Sequence, residues 1–146
     1  MQRLWGIGLV MAVLFMVGVL PAAAEGLRSA GEIRSTLRVA LAQAQGDHMA
    51  EFFAAIKPFW LISEDGYASA MAKTTAARVD VQKKLGKSLG MEEIKVELVS
   101  DTVMKVVYLE KFQRSCLIWN FFFYKPETEW VLTTFEWDES IRSLFM

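Results

Sequence analysis

The only histidine, His48, sits between Asp47 and Met49, with Glu51 three residues on. Imidazole beside two carboxylates is the raw material of a general base or of a metal ligand set. No second histidine exists and no cysteine lies nearby to complete a metal site. The expectation is therefore an exposed residue in the first turn of a helix, with no metal and no cofactor. Asp65, Tyr67 and Tyr108 supply an acid and two phenols of the kind that line pockets, although a buried tyrosine also finds a hydrogen-bond partner without catalysing anything. Gly86-Lys87-Ser88 has the ending of a phosphate-binding loop, but Val81 stands where that loop needs its first glycine, and a helical pattern precedes it instead of a strand. It is expected to be a helix end with a solvated lysine. Cys116, the only cysteine, falls in a very apolar segment and is expected to behave as a small buried hydrophobe. Glu110 and Lys111, near a strand end, are expected to form a solvated hairpin tip with Arg114, and Arg34 and Arg38 an exposed helix face. None of these constellations is a catalytic motif.

The elements that must position these side chains fall into two halves. Residues 32–44 carry Ile33, Leu37, Ala40, Leu41 and Ala44 at helical spacing. Gly46 is the expected end of that helix and Asp47 the expected N-cap of the next. The second stripe is Met49, Phe52, Phe53, Ile56, Phe59 and Trp60, which Pro58 should end near Lys57. Ser63-Glu64-Asp65 offers a capping hydroxyl and two acids for a third helix, with a stripe of Tyr67, Ala70, Met71, Thr74, Ala77, Val81 and Leu85 closed by Gly86 and Gly90. From residue 93 onward the period becomes two. Strands are expected over 93–99, 103–111, 116–124 and 130–137, joined by short connections into an antiparallel meander. Lys125-Pro126-Glu127-Thr128 reads as a turn.

The third of these strands is apolar on both faces. Leu117, Trp119, Phe121 and Phe123 point one way, and Cys116, Ile118, Phe122 and Tyr124 the other, with Asn120 the one polar member. A half-solvated strand would alternate apolar and polar residues. Three helices can cover one face but not easily both, so the other needs a second copy of the chain or a curled edge of the sheet; a homodimer is expected, with Ile118, Asn120, Phe122 and Tyr124 as the dimer face. Phe52, Phe53, Trp119, Phe121 and Phe123 read first as core. Part of that set, Phe52, Phe53, Trp119 and Phe121, forms with Tyr67, Met71 and Tyr108 a candidate lining for a pocket that takes a small apolar ligand.

Residues 1–24 have the form of a secretory signal. Arg3 begins it, residues 4–20 are uncharged and mostly apolar, and Pro21-Ala22-Ala23-Ala24 ends it with the small residues a signal peptidase reads. The apolar run is at the lower edge of the roughly 17–25 residues that span a bilayer, so cleavage after Ala24 is expected over retention as an anchor, the one route by which the chain would meet a membrane. The working protein is then a single domain over 25–146, periplasmic or secreted. A formal net charge of −1 without a basic tract argues against nucleic acid. One cysteine cannot make an internal disulfide, so the fold must rest on its core.

Gly46-Asp47, Val107-Tyr108-Leu109-Glu110-Lys111, and the closing residues with Phe123-Tyr124-Lys125-Pro126, Trp130 and Phe135-Glu136-Trp137-Asp138 give the mature chain a wider likeness. It resembles the nuclear transport factor 2-like superfamily, and within it small exported proteins. The resemblance implies a cystatin-like α+β cone of about three N-terminal helices packed on a curved antiparallel sheet of about four strands. One departure is visible. Many members place a short strand or hairpin between the second and third helices, and here only residues 61–66 are available for it. The superfamily hosts isomerases, dehydratases, ligand binders and assembly modules, so the fold leaves function open. The enzymes' acid and oxyanion-donor motif has no residue-by-residue counterpart here. The sequence therefore favours a non-enzymatic module holding a small apolar ligand or an envelope protein partner. The alternatives are an isomerase-, dehydratase- or hydrolase-type enzyme with a minimal acid/base pair, and a structural subunit of an envelope complex.

Overall fold

The structure, a computed structural model, describes residues 24–146, so the signal segment lies outside the described residues except for Ala24. Helix α1 spans Ala30–Gln45. The Ser29 hydroxyl accepts from the Glu32 backbone N–H at 3.1 Å, and the Glu32 carboxylate reaches back to the Arg28 N–H at 2.7 Å, so two free donors at the helix start are satisfied. Its buried stripe is Ile33, Leu37, Ala40, Leu41 and Ala44, as the spacing requires. Helix α2 spans Met49–Ile56, and Pro58 converts its continuation into a 3-10 turn over Lys57–Phe59. Helix α3 spans Glu64–Leu85, capped by the Ser63 hydroxyl on the Gly66 N–H at 3.1 Å and ended by Gly86.

The joint between α1 and α2 differs from expectation. Gly46 keeps an ordinary negative φ, the left-handed residue is Asp47 (φ 63°), and His48 is the N-cap of α2. Aspartate tolerates that conformation because its side chain is short and polar. Its carboxylate is turned to Arg78, 3.2 Å away, and so does not cap α2.

Strands β1 (Ser88–Val99), β2 (Val103–Phe112), β3 (Cys116–Tyr124) and β4 (Val131–Asp138) pair antiparallel in the order β1-β2-β3-β4. The protein is thus an α+β domain of three helices against a four-stranded antiparallel sheet. β1 starts well before residue 93, because register shifts at Ser88/Gly90 and Glu93/Lys95 break the two-residue alternation that marks a strand in sequence. The residues between α2 and α3 make a single parallel bridge, Trp60 to Leu132, with the Leu61 N–H donating to the Leu132 carbonyl at 2.9 Å. The N-terminal segment is tied down on the same side of the sheet. Leu27 and Trp130 exchange main-chain hydrogen bonds of 2.8 and 2.7 Å.

The helices cover one face of the sheet. There Leu117, Trp119, Phe121 and Phe123 of β3 are all solvent-excluded. The other face is graded. Ile118 is 1% exposed, Cys116, Asn120 and Phe122 are half-buried, and Tyr124 is 44% exposed. Lys95, Glu97 and Lys105 cross this face as an ion-paired row, and their two contacts of 2.8 Å hold the Glu97 carboxyl down at about 2. The closing 3-10 turn Ile141–Phe145 lies against β3.

Gly86 stands at φ 89°, ψ −151°, and a Cβ there would lie 2.7 Å from the Gln113 Oε1. Gly86→Ala is expected to lose about 1–3 kcal/mol in denaturant unfolding, whereas Gly31→Ala in the first turn of α1 should be neutral or better.

Candidate functional site

The β2 face turned to the helices carries Met104, Val106, Tyr108, Glu110 and Phe112. Four belong in a core, and the fourth in order is a carboxylate with 0% exposure. Glu110 is therefore not part of a solvated hairpin tip, as its position near a strand end implied. Opposite it, Arg78 occupies the buried stripe of α3 between Thr74 and Val81 and is 2% exposed. The two meet in a fork. Arg78 Nη1 donates to Glu110 Oε2 and Nη2 to Oε1, both at 2.7 Å. Ser88 Oγ donates to Oε1 at 2.7 Å and Trp119 Nε1 to Oε2 at 3.1 Å. The guanidinium also donates from Nη2 to the Ala44 carbonyl at 2.9 Å and from Nε to Asp47 at 3.2 Å, and lies 5.3 Å from the Phe112 ring centroid. Burial alone lowers the arginine pKa, but Glu110 and Asp47 outweigh it and leave the pKa raised.

This geometry decides what Glu110 can do. A carboxylate has about four lone-pair directions, and all four are taken by Arg78 twice, Ser88 and Trp119. No direction is left from which to accept a substrate proton. Glu110 thus links α3, β1, β2 and β3, Arg78 adds α1 through the Ala44 carbonyl, and the carboxylate keeps no free acceptor site for work as a general base. Arg114 is likewise bound to the fold. Its guanidinium donates to the Lys84 and Lys83 carbonyls at 2.9 and 3.0 Å, closing the C-terminal end of α3. Lys111 is exposed as expected.

Tyr108 is buried, with its hydroxyl 3.4 Å from the Arg34 carbonyl and 3.5 Å from Glu93 Oε2. Burial, and then the charge of Glu93, push the phenol up to about 12. Glu93 is bound by Arg34 at 2.9 Å, which in turn holds the guanidinium above its ordinary pKa. A protonated phenol beside an ion-paired carboxylate is a positioned donor, and neither residue lines any of the grooves described next.

Three grooves border α3. The first, of about 990 Å³, runs past Ala54, Pro58, Trp60, Leu61, Ile62 and Tyr67, with Ala24 and Glu25 at one end and Lys57, Ser63 and Glu64 on its rim. The second, of about 490 Å³, lies between α3 and β4 and includes Lys73, Thr74, Phe135 and Trp137. The third, of about 680 Å³, lies between α2 and α3 and includes Asp47, His48, Glu51 and Met71.

The residues expected to line one pocket are dispersed. Phe52, Phe53, Trp119 and Phe121 are solvent-excluded and packed ring on ring, with Phe52 5.4 Å from Trp119 and Trp119 6.1 Å from Phe121 between centroids. Tyr67 lines the first groove, Met71 the third, and Tyr108 faces Glu93. His48 lies at the third groove beside Asp47 and Glu51, and among the described residues no three potential ligands gather around a metal position. Gly86 ends α3, and Ser88 serves the Glu110 carboxylate. Asp65 is exposed in the first turn of α3, and Cys116 is half-buried. Comparison with protein-family models, with curated proteins and with solved structures found no match.

Removing one partner of the buried pair strands the other charge. Arg78→Met and Glu110→Leu are each expected to lose about 3–5 kcal/mol by denaturant unfolding, and the double variant less than the sum of the two. Tyr108 gives a pH signature. Its folded pKa lies above the unfolded value of 10.0, so its contribution is complete below that value and is lost as pH rises toward about 12. Tyr108→Phe should flatten the alkaline fall in unfolding midpoint over this interval.

Proposed function

We propose that this chain is an exported, non-enzymatic binding module with a nuclear transport factor 2-like architecture, and that it takes up a small apolar ligand in the groove beside Trp60, Leu61 and Tyr67. One contrast carries the reading. The interior carboxylate is saturated by Arg78, Ser88 and Trp119, while the first of the grooves along α3 is walled mainly by apolar side chains and leaves Leu61 62% exposed. Small-molecule pockets commonly have this composition, an apolar wall with a few polar groups at the rim. The rim polar groups here are already matched. Lys57 pairs with Glu64 at 3.1 Å and lies 4.6 Å from the Tyr67 ring centroid. Glu25 and Leu27, just past the expected cleavage point, are hydrogen-bonded into the fold.

Titration with an environment-sensitive apolar dye tests the groove. Leu61→Lys is expected to weaken dye binding about tenfold or more, the loss of roughly one buried aliphatic side chain, with no change in unfolding midpoint. Equal binding by the variant would rule out this groove.

A second reading concerns the sheet face turned away from the helices, and we propose that a second copy of the chain packs there. Val99, Val103 and Tyr124 form one exposed cross-strand row at the hairpin end of that face. Another row runs Lys95, Val107, Asn120, Glu136. A two-fold axis along the strands would set the lysine end of this row over the glutamate end of the partner's. Solution mass is expected to be that of two chains, falling to one in Tyr124→Glu. A single-chain mass for the unaltered protein at high concentration would refute the pairing.

A further inference from the structure

The groove meets the chain at the point where the leader is expected to be cut. Ala24 and Glu25 both line it, and the Glu25 N–H donates to the carbonyl of Pro58, itself a lining residue, at 2.7 Å. The Glu25 nitrogen cannot drift far from this place. Two residues on, Leu27 is buried and exchanges two main-chain hydrogen bonds with Trp130.

From this placement we infer that processing arms the groove: cleavage behind Ala24 leaves the α-ammonium of Glu25 in its wall as the anchor for a ligand with an apolar chain and an anionic end. The inference rests on the binding reading and on cleavage at that bond. Hydrolysis adds one water across the Ala24–Glu25 amide. The carboxylate departs with Ala24, and the amine stays on Glu25 and takes a proton from solvent. Two things change at the groove together. Ala24 no longer occupies its end, and an amide with one donor, already given to Pro58, becomes an ammonium with three. One of those remains on the Pro58 carbonyl and two are free.

Charge matching gives the ligand class. Lys57, the other cation at this groove, is already paired with Glu64. In the structure the Glu25 nitrogen is bonded to the neutral Pro58 carbonyl and, among the described residues, to no carboxylate. A carboxylate on the end of an aliphatic chain satisfies the new ammonium while the chain lies along Trp60, Leu61 and Ile62. A charge-assisted hydrogen bond of this kind contributes about 1.5–3 kcal/mol, which corresponds to tenfold or more in affinity. A cationic amphiphile of the same length would meet like charge.

The titratable groups around the ammonium are the Glu25 carboxylate, Lys57, Glu64 and Tyr67, with Glu129 beside Gly26. An α-amino group ordinarily titrates at about 8. The anchor therefore has its own pH window.

The experiment uses the exported chain beginning at Glu25 and the same chain acetylated on that nitrogen. Each is titrated with dodecanoate, with dodecyltrimethylammonium and with a neutral apolar dye, and unfolding is measured alongside. The free-amine form is expected to bind dodecanoate about tenfold or more tighter than the acetylated form. That advantage should fade as pH rises through about 8 to 9, while dye affinity stays the same in both forms. Equal dodecanoate affinity in the two forms overturns the inference, as does a preference for the cationic amphiphile. Dye binding without any dodecanoate binding also overturns it and leaves the groove standing. Binding of none of the probes removes the groove itself, and this inference with it.

Discussion

The fold is organised around one buried ion pair. Arg78 and Glu110 lie on α3 and β2, 32 residues apart in sequence, and between them they engage Asp47, Ala44, Ser88 and Trp119. Taking two such charges out of water costs several kcal/mol each, and attraction in a low-dielectric interior offsets this only where the geometry is good and every remaining lone pair is used. That condition holds here. The fork is bidentate, and the carboxylate's other acceptor sites go to a hydroxyl and an indole. A leucine–methionine pair would fill a similar volume but leave the Ser88 hydroxyl and the Trp119 indole N–H without their acceptor. What the ionic pair adds is direction. Its fork and its bonds to the Ala44 carbonyl and the Asp47 carboxylate tie α3 to the sheet and to the α1–α2 joint in one geometry.

The aromatic core and the ion pair divide the interior between them. Phe52, Phe53, Trp119, Phe121 and Phe135 fill the space under α2 with edge and stacked contacts of 5.4 to 6.2 Å between centroids. Such contacts are worth about 0.5–1.5 kcal/mol each beyond area burial. Among the described residues both parts are filled by packed or hydrogen-bonded side chains. Three grooves run instead along the flanks of α3, whose N-terminal half, from Tyr67 to Ala77, carries no fully buried residue. The helix is fixed by Arg78, Val81 and Leu85 toward its C-terminal end. A helix held at one end and bordered by grooves at the other is a natural place for a ligand.

Much of this was legible in the sequence. Three apolar stripes, Ser63 as a cap, Pro58 as a helix stop and the two-sided third strand place the three helices and the last three strands to within a residue or two. β1 was half-legible, because two bulges hide its first residues from any alternation test. The centre of the molecule is hard to read for a specific reason. Near a strand end Glu110 reads as a hairpin-tip charge, although its phase matches Met104, Val106, Tyr108 and Phe112. Arg78 reads as one more surface charge, although it falls in phase with Thr74, Val81 and Leu85. Two opposite charges, each in core phase on its own element, were the signal for the pair, and only the combination is informative. The groove could not be read in advance, since Ala24, Pro58, Leu61 and Tyr67 share no motif and are brought together by the bridge of Trp60 to Leu132.

The central claim is that the interior is locked and the groove beside Trp60 binds without reacting. Native mass spectrometry of the processed chain taken from the exported fraction tests this most directly. The account predicts a small molecule carried through purification that leaves intact on gentle activation and is absent from the Leu61→Lys variant. A bare chain that also refuses apolar probes, or a bound molecule recovered as a chemically converted product, would contradict it.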